Sequence, residues 1–177
     1  MTGSRVSRTA GVVVFRRSER MKIKISRKLF IFASFTLLWM CVIFFFSSQN
    51  GDESSGVSKR LLMFLCGLFS YSPAADTKEL LLLLIRKGAH MAEFGILALL
   101  WLATFRSGRV KAAWHYPAAF AASSLYAATD EIHQLFVSER AGRATDWLID
   151  SAGAILFLCI GWLVIRVIDN KNSISKG

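Results

Sequence analysis

Polar side chains that could bind a ligand or carry out acid–base chemistry interrupt the apolar stretches of this 177-residue chain. Within residues 86–150 many of them recur three or four positions apart, a spacing that places them on single faces of helices. Ionisable groups in apolar helices are costly to bury, so they usually face a bundle interior and have a partner or a task. The candidates are Arg86, Lys87, His90, Glu93, Tyr126, Asp130, Glu131, His133, Gln134, Arg140, Arg143, Asp146 and Asp150.

One interpretation of these candidates is purely structural. Oppositely charged side chains on neighbouring helices would pair and lock the helices together without any ligand. The pairs would join the bases Lys87, Arg140 and Arg143 to the carboxylates of Asp130, Asp146 and Asp150.

A second interpretation is a binding site for an anionic or lipid-tailed ligand. Arg and Lys side chains bind phosphate and carboxylate groups, and the surrounding helices offer an apolar groove. Lys87, Arg140 and Arg143 would meet the charge of the ligand, and the three aspartates would orient these bases. The remaining candidates would complete the polar lining, so the whole set is assigned to this site as a hypothesis.

A third interpretation is a metal-dependent membrane hydrolase. His90 precedes Glu93, and Asp130 precedes His133, by one helical turn, which is the spacing used by metal sites in helical bundles. No nucleophilic Ser or Cys beside a base is evident in the sequence. The pattern therefore favours a binding or accessory protein over an enzyme, and no cofactor is predicted.

The elements that must position these residues are apolar helices. Four segments approach or exceed the length that crosses a bilayer, about 20 residues of helix. They cover residues 29–46, 90–105, 114–136 and 147–168. Because 54% of the residues are hydrophobic, the sequence predicts an all-α membrane protein, a bundle of about four transmembrane helices. Between the first two segments, residues 49–58 indicate a loop and residues 61–69 a short interfacial helix.

The basic residues are distributed asymmetrically, and this predicts an orientation. Nine of the 22 Lys and Arg residues lie within residues 1–28, opposed by one acid, Glu19. Three more lie within residues 106–111, with no acid among them. Short cytoplasmic segments are enriched in Lys and Arg, so both termini are predicted to be cytoplasmic. The polar candidates then lie at the outer face of a bacterial plasma membrane.

The predicted organisation is one membrane domain, residues 29–168, with two cytoplasmic tails, residues 1–28 and 169–177. The first tail is predicted to be disordered at least up to Met21, which itself begins a sequence suitable as a start. Its charge suits anionic lipid heads, and no nucleic-acid motif accompanies it, so membrane lipids rather than nucleic acid are the expected partners. Four short spans enclose little space, so a channel would need several copies, and a homo-oligomer is left open.

The polar blocks resemble the signature of VanZ-like membrane proteins. Residues 86–94, RKGAHMAEF, are similar to the R-K-x-x-H-x-x-E/Y-F/Y segment of that family. Residues 126–134, YAATDEIHQ, are similar to its Y-A-x-x-D-E-x-x-Q segment. Residues 136–153 resemble F-V-x-x-R-x-G-x-x-x-D-x-x-x-N/D-x-x-G, although Ser138-Glu139 stands where many relatives have Pro-Gly. Residues 46–51, FSSQNG, are similar to the F-S-S-Q-x-G that follows the first span.

The resemblance covers roughly residues 30–168 and implies a membrane protein of the cell envelope. The family is named for a protein that raises resistance to the lipoglycopeptide antibiotic teicoplanin. A lipid-linked or lipoglycopeptide ligand is therefore an expectation from the resemblance alone. No particular enzymatic activity is implied.

Overall fold

The computed structural model describes residues 26–174, apart from residues 50, 139 and 141. All regular structure in this part of the chain is helical, which confirms the all-α prediction for these residues. The helices are α1 (Arg27–Ser47), α2 (Gly51–Leu68), α3 (Ala75–Ser107), α4 (His115–Gln134) and α5 (Ala144–Ile174), with a short 3-10 turn (Ala112–Trp114) before α4. Most of the basic tail predicted for residues 1–28 lies outside the described residues.

Three of the described helices, α1, α3 and α5, are long and apolar enough to cross a membrane. Large apolar side chains on two of them are widely exposed, including Phe35 (56%), Leu38 (61%) and Val164 (52%). Apolar surface on this scale is unfavourable in water and is the expected outer surface of a bundle embedded in lipid. The chain is therefore a membrane protein.

The predicted third span is helical, but the count of four membrane spans is not confirmed, because α4 is not among those three helices. α4 has 20 residues, which corresponds to about 30 Å of helix. Its buried residues are mainly small or polar, such as Ser123, Ala127 and Asp130. Since α4 packs these residues against α3 and α5, it has fewer apolar residues than a helix that faces lipid on most sides.

Helix α2 begins earlier than the sequence indicates. The prediction of a loop over residues 49–58 is wrong for most of that range, because α2 starts at Gly51. The apolar residues 61–68 favour a helix, and adding turns to an existing helix costs less than nucleating a new one. α2 packs against α3 and leaves Met63 and Phe64 exposed.

Helix α3 is the centre of the bundle and contacts each of the other four helices. The Thr36 and Thr104 hydroxyls lie 3.0 Å apart and the Trp39 indole donates to the Glu93 carbonyl at 2.9 Å, which shows that α1 and α3 run antiparallel. The Ser123 hydroxyl donates to the carbonyl of Phe94 at 2.9 Å and joins α4 to α3. Such hydrogen bonds between helices stabilise bundles in lipid, where no hydrophobic force draws helices together.

Two apolar clusters fill the bundle interior. One contains Leu102 of α3, Ala119 of α4 and Leu158 of α5, and the other contains Ile43 of α1 with Phe94 of α3. Alanine at the crossing of α3 and α4 lets the two backbones approach closely. This packing fixes the relative rotation of the helices and so decides which side chains meet at the bundle ends.

Candidate functional site

The structure brings the polar segments of α3, α4 and α5 to the same end of the bundle. Lys87 of α3 forms an ion pair with Asp146 of α5. The backbone N–H of Arg143 donates to the carboxylate of Glu131, the last-turn acid of α4, at 2.7 Å. The opposite end holds the start of α1, the connection between α3 and α4, and the end of α5.

The depth of this polar end follows from the length of α3. Its 33 residues correspond to about 50 Å, more than the ~30 Å of a hydrocarbon core. Counting about 20 residues back from Arg106 reaches roughly residue 87. On this count Arg86 and Lys87 lie near the end of an apolar span, and residues 88–93 lie up to about two helical turns farther in.

A close helix contact sets the distance between α3 and α5 at this level. A Cβ atom at Gly153 of α5 would collide with the backbone of Met91 in α3. Glycine therefore permits backbone-to-backbone approach of the two helices, as small residues do in membrane bundles. That approach brings Lys87 and Asp146 within reach of each other. Lys87 lies about one helical turn from Met91, and Asp146 lies about two turns from Gly153.

The loop between α4 and α5 is held against its neighbours. A Cβ atom at Gly142 would collide with the Glu131 carbonyl, so the loop packs directly on the end of α4. Arg140, two residues earlier, donates from Nε to the carbonyl of Gln49 at 3.1 Å and from Nη2 to that of Phe46 at 3.3 Å. Its cation therefore neutralises the partial negative charge at the carboxyl end of α1.

A cavity of about 230 Å³, here called the basic cleft, lies between α3, α4 and this loop. Its lining contains four basic side chains and one carboxylate, and that carboxylate belongs to Asp146, already paired with Lys87. The net charge of the lining is therefore positive. The lining residues are Leu83, Arg86, Lys87, His90, Gln134, Arg140, Arg143 and Asp146.

A second cavity of about 180 Å³, the inner cleft, lies beside the first one. It contains the carboxyl groups of Glu93 and Asp130 together with two arginines. Residues of α1 and α2 close its other side. The lining residues are Ile43, Phe46, Ser47, Gln49, Val57, Ser58, Arg86, Ala89, His90, Glu93, Asp130 and Arg140.

Three side chains, Arg86, His90 and Arg140, line both clefts. Among the described residues, the Arg86 side chain has neither a hydrogen bond nor an ion pair. The Nη1 atom of Arg140 and the Nδ1 atom of His90 are also buried, and neither has a hydrogen-bond partner among the described residues. Burial lowers the pKa of Arg140, and the nearby charge of Arg86 lowers it further. The Arg86 guanidinium and Nη1 of Arg140 are thus donors without a protein acceptor among the described residues.

The inner cleft continues into a wider opening of about 580 Å³ between the end of α1 and α2, here called the lateral groove. Gln49 and Val57 line both the inner cleft and the lateral groove. Phe45 and Arg60 contribute an apolar and a basic side chain to the groove. The polar clefts therefore connect to a partly apolar surface on the side of the bundle.

Nine of the predicted site residues line one cleft or the other, and four lie elsewhere. Tyr126 donates to the Met40 carbonyl at 2.7 Å and joins α4 to α1. His133 lies 3.3 Å from the Ser48 hydroxyl, with its ring 4.7 Å from that of Phe44. Both side chains connect α4 to α1.

Glu131 and Asp150 also lie outside the clefts. Glu131 accepts the hydrogen bond from Arg143 that fixes the loop. Asp150 is 1% exposed, and neither of its carboxylate oxygens has a hydrogen-bond partner among the described residues. It therefore makes no hydrogen bond to the bases that the sequence hypothesis assigns to it.

Several cleft residues are absent from the sequence candidates. Ser47 is the last residue of α1, Gln49 follows that helix, and Val57 and Ser58 lie on α2. The FSSQ segment is the sequence signal for Ser47 and Gln49, because its resemblance to the family pattern indicates a role beyond that of a connecting loop. Val57 and Ser58 have no such signal, because they fall in the range predicted as a loop.

The residues of the metal hypothesis are only partly together. His90 Nδ1 lies 3.7 Å from a carboxylate oxygen of Glu93, and Asp130 lines the same cleft. His133 lies instead beside Ser48. Within the described residues, no group of three or more His, Cys, Asp or Glu side chains is arranged to hold a metal ion.

Comparison with known proteins assigns most of the helical region to one family. The family model described as VanZ/LLP1 matches residues 32–167, which is more than half of the chain. No curated protein and no solved structure gives a significant match. The matched range extends from α1 to α5 and includes both clefts. The chain therefore belongs to the VanZ/LLP1 family of proteins.

Proposed function

We propose that this protein binds the anionic headgroup of a lipid-tailed ligand in the basic cleft, at the outer leaflet of a bacterial plasma membrane. The observation that carries the proposal is the guanidinium of Arg86, which has no hydrogen bond or ion pair among the described residues and lines the same two cavities as Arg140. A cation without a protein partner near a membrane interface is costly unless water or an anion compensates its charge.

The size of the clefts favours a headgroup rather than a whole ligand. At about 230 Å³ and 180 Å³, each is smaller than the ~300–1,000 Å³ of pockets that enclose drug-sized molecules. A phosphate or carboxylate would accept bonds from Arg86 and Arg140, since guanidinium groups bind these anions through paired N–H donors. Hydroxyl or amine groups of the same headgroup would donate to Glu93 and Asp130 in the inner cleft.

The lateral groove would accept the apolar tail. It adjoins the inner cleft at Gln49 and Val57, and it opens between helices whose outer faces carry exposed apolar residues. A tail leaving the headgroup would lie in this groove against Phe45 and Val57, beside the polar side chains of Gln49 and Arg60. This arrangement supports a binder or accessory of the cell envelope over an enzyme. A lipoglycopeptide with its acyl chain is one ligand of this chemical class.

The binding proposal is tested by native mass spectrometry of the purified chain in a non-ionic detergent. Lysophosphatidic acid carries one phosphate and one tail, and a monoacylglycerol with the same tail is the uncharged comparison. We expect the native chain to retain more copies of the phosphate compound than of the glyceride, and Arg86→Gln to retain one copy fewer than the native chain. Equal retention of the two compounds contradicts the proposal.

The proposed orientation is tested separately by cysteine labelling in a variant whose three native cysteines are replaced by serine. A cysteine at exposed Ser138, in the loop beside the clefts, should react with a membrane-impermeant maleimide in intact cells. A cysteine at Arg109, at the opposite end, should react only after the cells are opened. The reverse pattern would place the clefts on the cytoplasmic side.

A further inference from the structure

A second cavity system lies at the end of the bundle opposite to the clefts. It is a groove of about 820 Å³ between α1, α3 and α5, here called the basal groove. Phe32 of α1, Leu102 of α3 and Val164 of α5 give it apolar walls. This volume lies within the ~300–1,000 Å³ of pockets that hold molecules of drug size, so it can hold a flexible apolar chain.

Small residues keep the basal groove open. Ala103 of α3 and Gly161 of α5 line it among larger apolar residues. A Cβ atom at Gly161 would lie 2.9 Å from Cδ2 of Leu99, so α3 and α5 are already in close contact at the floor of the groove. The groove therefore has a packed floor and an open side toward the lipid.

Two basic side chains line the basal groove at the bundle end. Lys28 lies in the first turn of α1 and Arg106 in the last turn of α3, and both are exposed. Neither side chain has an ion pair or a hydrogen bond within the part of the chain that the structure describes. The hydroxyl-bearing Ser107 lines the groove beside Arg106. Positive charge thus adjoins an apolar groove that opens to the membrane.

We infer that the basal groove binds one anionic phospholipid of the leaflet on its own side. One acyl chain lies along Phe32, Leu102 and Val164, and the phosphate lies between Lys28 and Arg106. Basic pockets between membrane helices are the usual sites for anionic lipid heads, because the phosphate is close to the surface while the chain replaces helix–helix contacts. The charge of the lining selects against lipids without net negative charge.

This lipid has a structural consequence for the bundle. The Thr36 and Thr104 hydroxyls join α1 to α3 near this end of the bundle. Between these residues and the bundle end, the basal groove lies between α1, α3 and α5. An acyl chain in the groove therefore contacts all three helices at once and stabilises the position of α1. The site is independent of the basic cleft, since the two share no lining residue.

The test uses the full chain in a non-ionic detergent and titrates phosphatidylglycerol and phosphatidylcholine of identical acyl chains, measured by native mass spectrometry. We expect one phosphatidylglycerol to be retained in preference to phosphatidylcholine. The double variant Lys28→Gln/Arg106→Gln should lose this phosphatidylglycerol, with the affinity for it lower by about tenfold, because two exposed charged contacts are removed. The matched control Arg109→Gln/Lys111→Gln removes the same charge at the same bundle end but leaves the groove lining unchanged.

A third variant distinguishes binding in the basal groove from a general effect of positive charge. Ala103→Leu places a larger apolar side chain in the basal groove without altering charge, and it should reduce retention of phosphatidylglycerol while the helical circular dichroism stays unchanged. Equal retention of the two phospholipids by the native chain overturns the inference. So does equal loss in the Lys28/Arg106 and Arg109/Lys111 variants, or full retention in Ala103→Leu. Arg86→Gln should leave this lipid in place, so failure at the basic cleft is distinguishable from failure here.

Discussion

The Nε atom of Arg140 donates to the carbonyl of Gln49 at 3.1 Å, which joins the loop between α4 and α5 to the carboxyl end of α1. Phe46 accepts a second bond from the same guanidinium at 3.3 Å. The sequence presents this side chain as a ligand-binding base or as a partner of a carboxylate, and the structure shows that it also anchors the loop to backbone carbonyls. Its remaining nitrogen, Nη1, has no hydrogen-bond partner among the described residues.

Replacing Arg140 by lysine should lower stability even though the charge is kept. A lysine has one nitrogen in place of three and cannot keep both carbonyl bonds in this geometry, so we expect a loss of about 1–3 kcal/mol. Thermal unfolding in detergent measures it. Arg143→Lys is the matched control, because the Arg143 side chain is exposed and makes no hydrogen bond with a described residue. Equal shifts in the two variants would show that Arg140 is not an anchor.

Gly153→Ala should destabilise the bundle, because its Cβ atom would collide with the backbone of Met91 and force α3 and α5 apart. Overpacking of this kind costs about 1–3 kcal/mol. Gly88→Ala on α3 is the control, since a Cβ atom there has nothing within 4 Å and alanine favours helix by up to about 1 kcal/mol. The melting temperatures should therefore move in opposite directions. A lower melting temperature in both variants would contradict a specific role for the contact between Gly153 and Met91.

The ion pair of Lys87 and Asp146 should show a modest coupling energy. The two side chains are 29% and 28% exposed, so water screens their attraction and a double-mutant cycle should give about 1 kcal/mol. Alanine at each position and at both, with unfolding by denaturant, provides the cycle. A second cycle with Lys78 in place of Lys87 should give a value near zero. Comparable coupling energies from the two cycles would show that Lys87 and Asp146 do not form a specific ion pair.

Asp150→Asn should raise stability, because this carboxylate is 1% exposed and has no hydrogen-bond partner among the described residues. Burying a neutral amide costs less than burying a carboxyl group that must either ionise or keep its proton without a partner. Asp146→Asn should lower stability instead, since it leaves Lys87 unpaired. If Asp150→Asn lowers the melting temperature as well, then Asp150 has a stabilising partner in the folded protein.

The parts of the site that lie within one helix could be predicted from the sequence, and the parts that join distant segments could not. Arg86, His90 and Glu93 lie on adjacent turns, so their spacing alone places them on one face. Arg140 and Gln49 are 91 residues apart, and no local pattern connects them. Their contact depends on how α1, α4 and the loop pack.

The same limit explains which fold predictions succeeded. The long apolar runs of α1, α3 and α5 identify these helices because lipid-facing surface must be apolar. α4 carries serine, alanine and acidic residues toward its neighbours, so its hydropathy understates how deeply it lies in the bundle. Asp150 illustrates the converse case: spacing places it with Asp146 on one face, but burial among other helices removes it from the clefts.

The most direct test of the central claim is a calorimetric titration of the purified protein with lysophosphatidic acid, comparing the native chain, Arg86→Gln and Arg109→Gln. Because Arg86 has no protein partner among the described residues, its replacement should leave the fold intact. Loss of one charged contact should weaken binding by about 10- to 100-fold, whereas Arg109→Gln at the opposite end should change it little. Equal affinities of all three proteins, or no binding by the native chain, would contradict a headgroup site in the basic cleft.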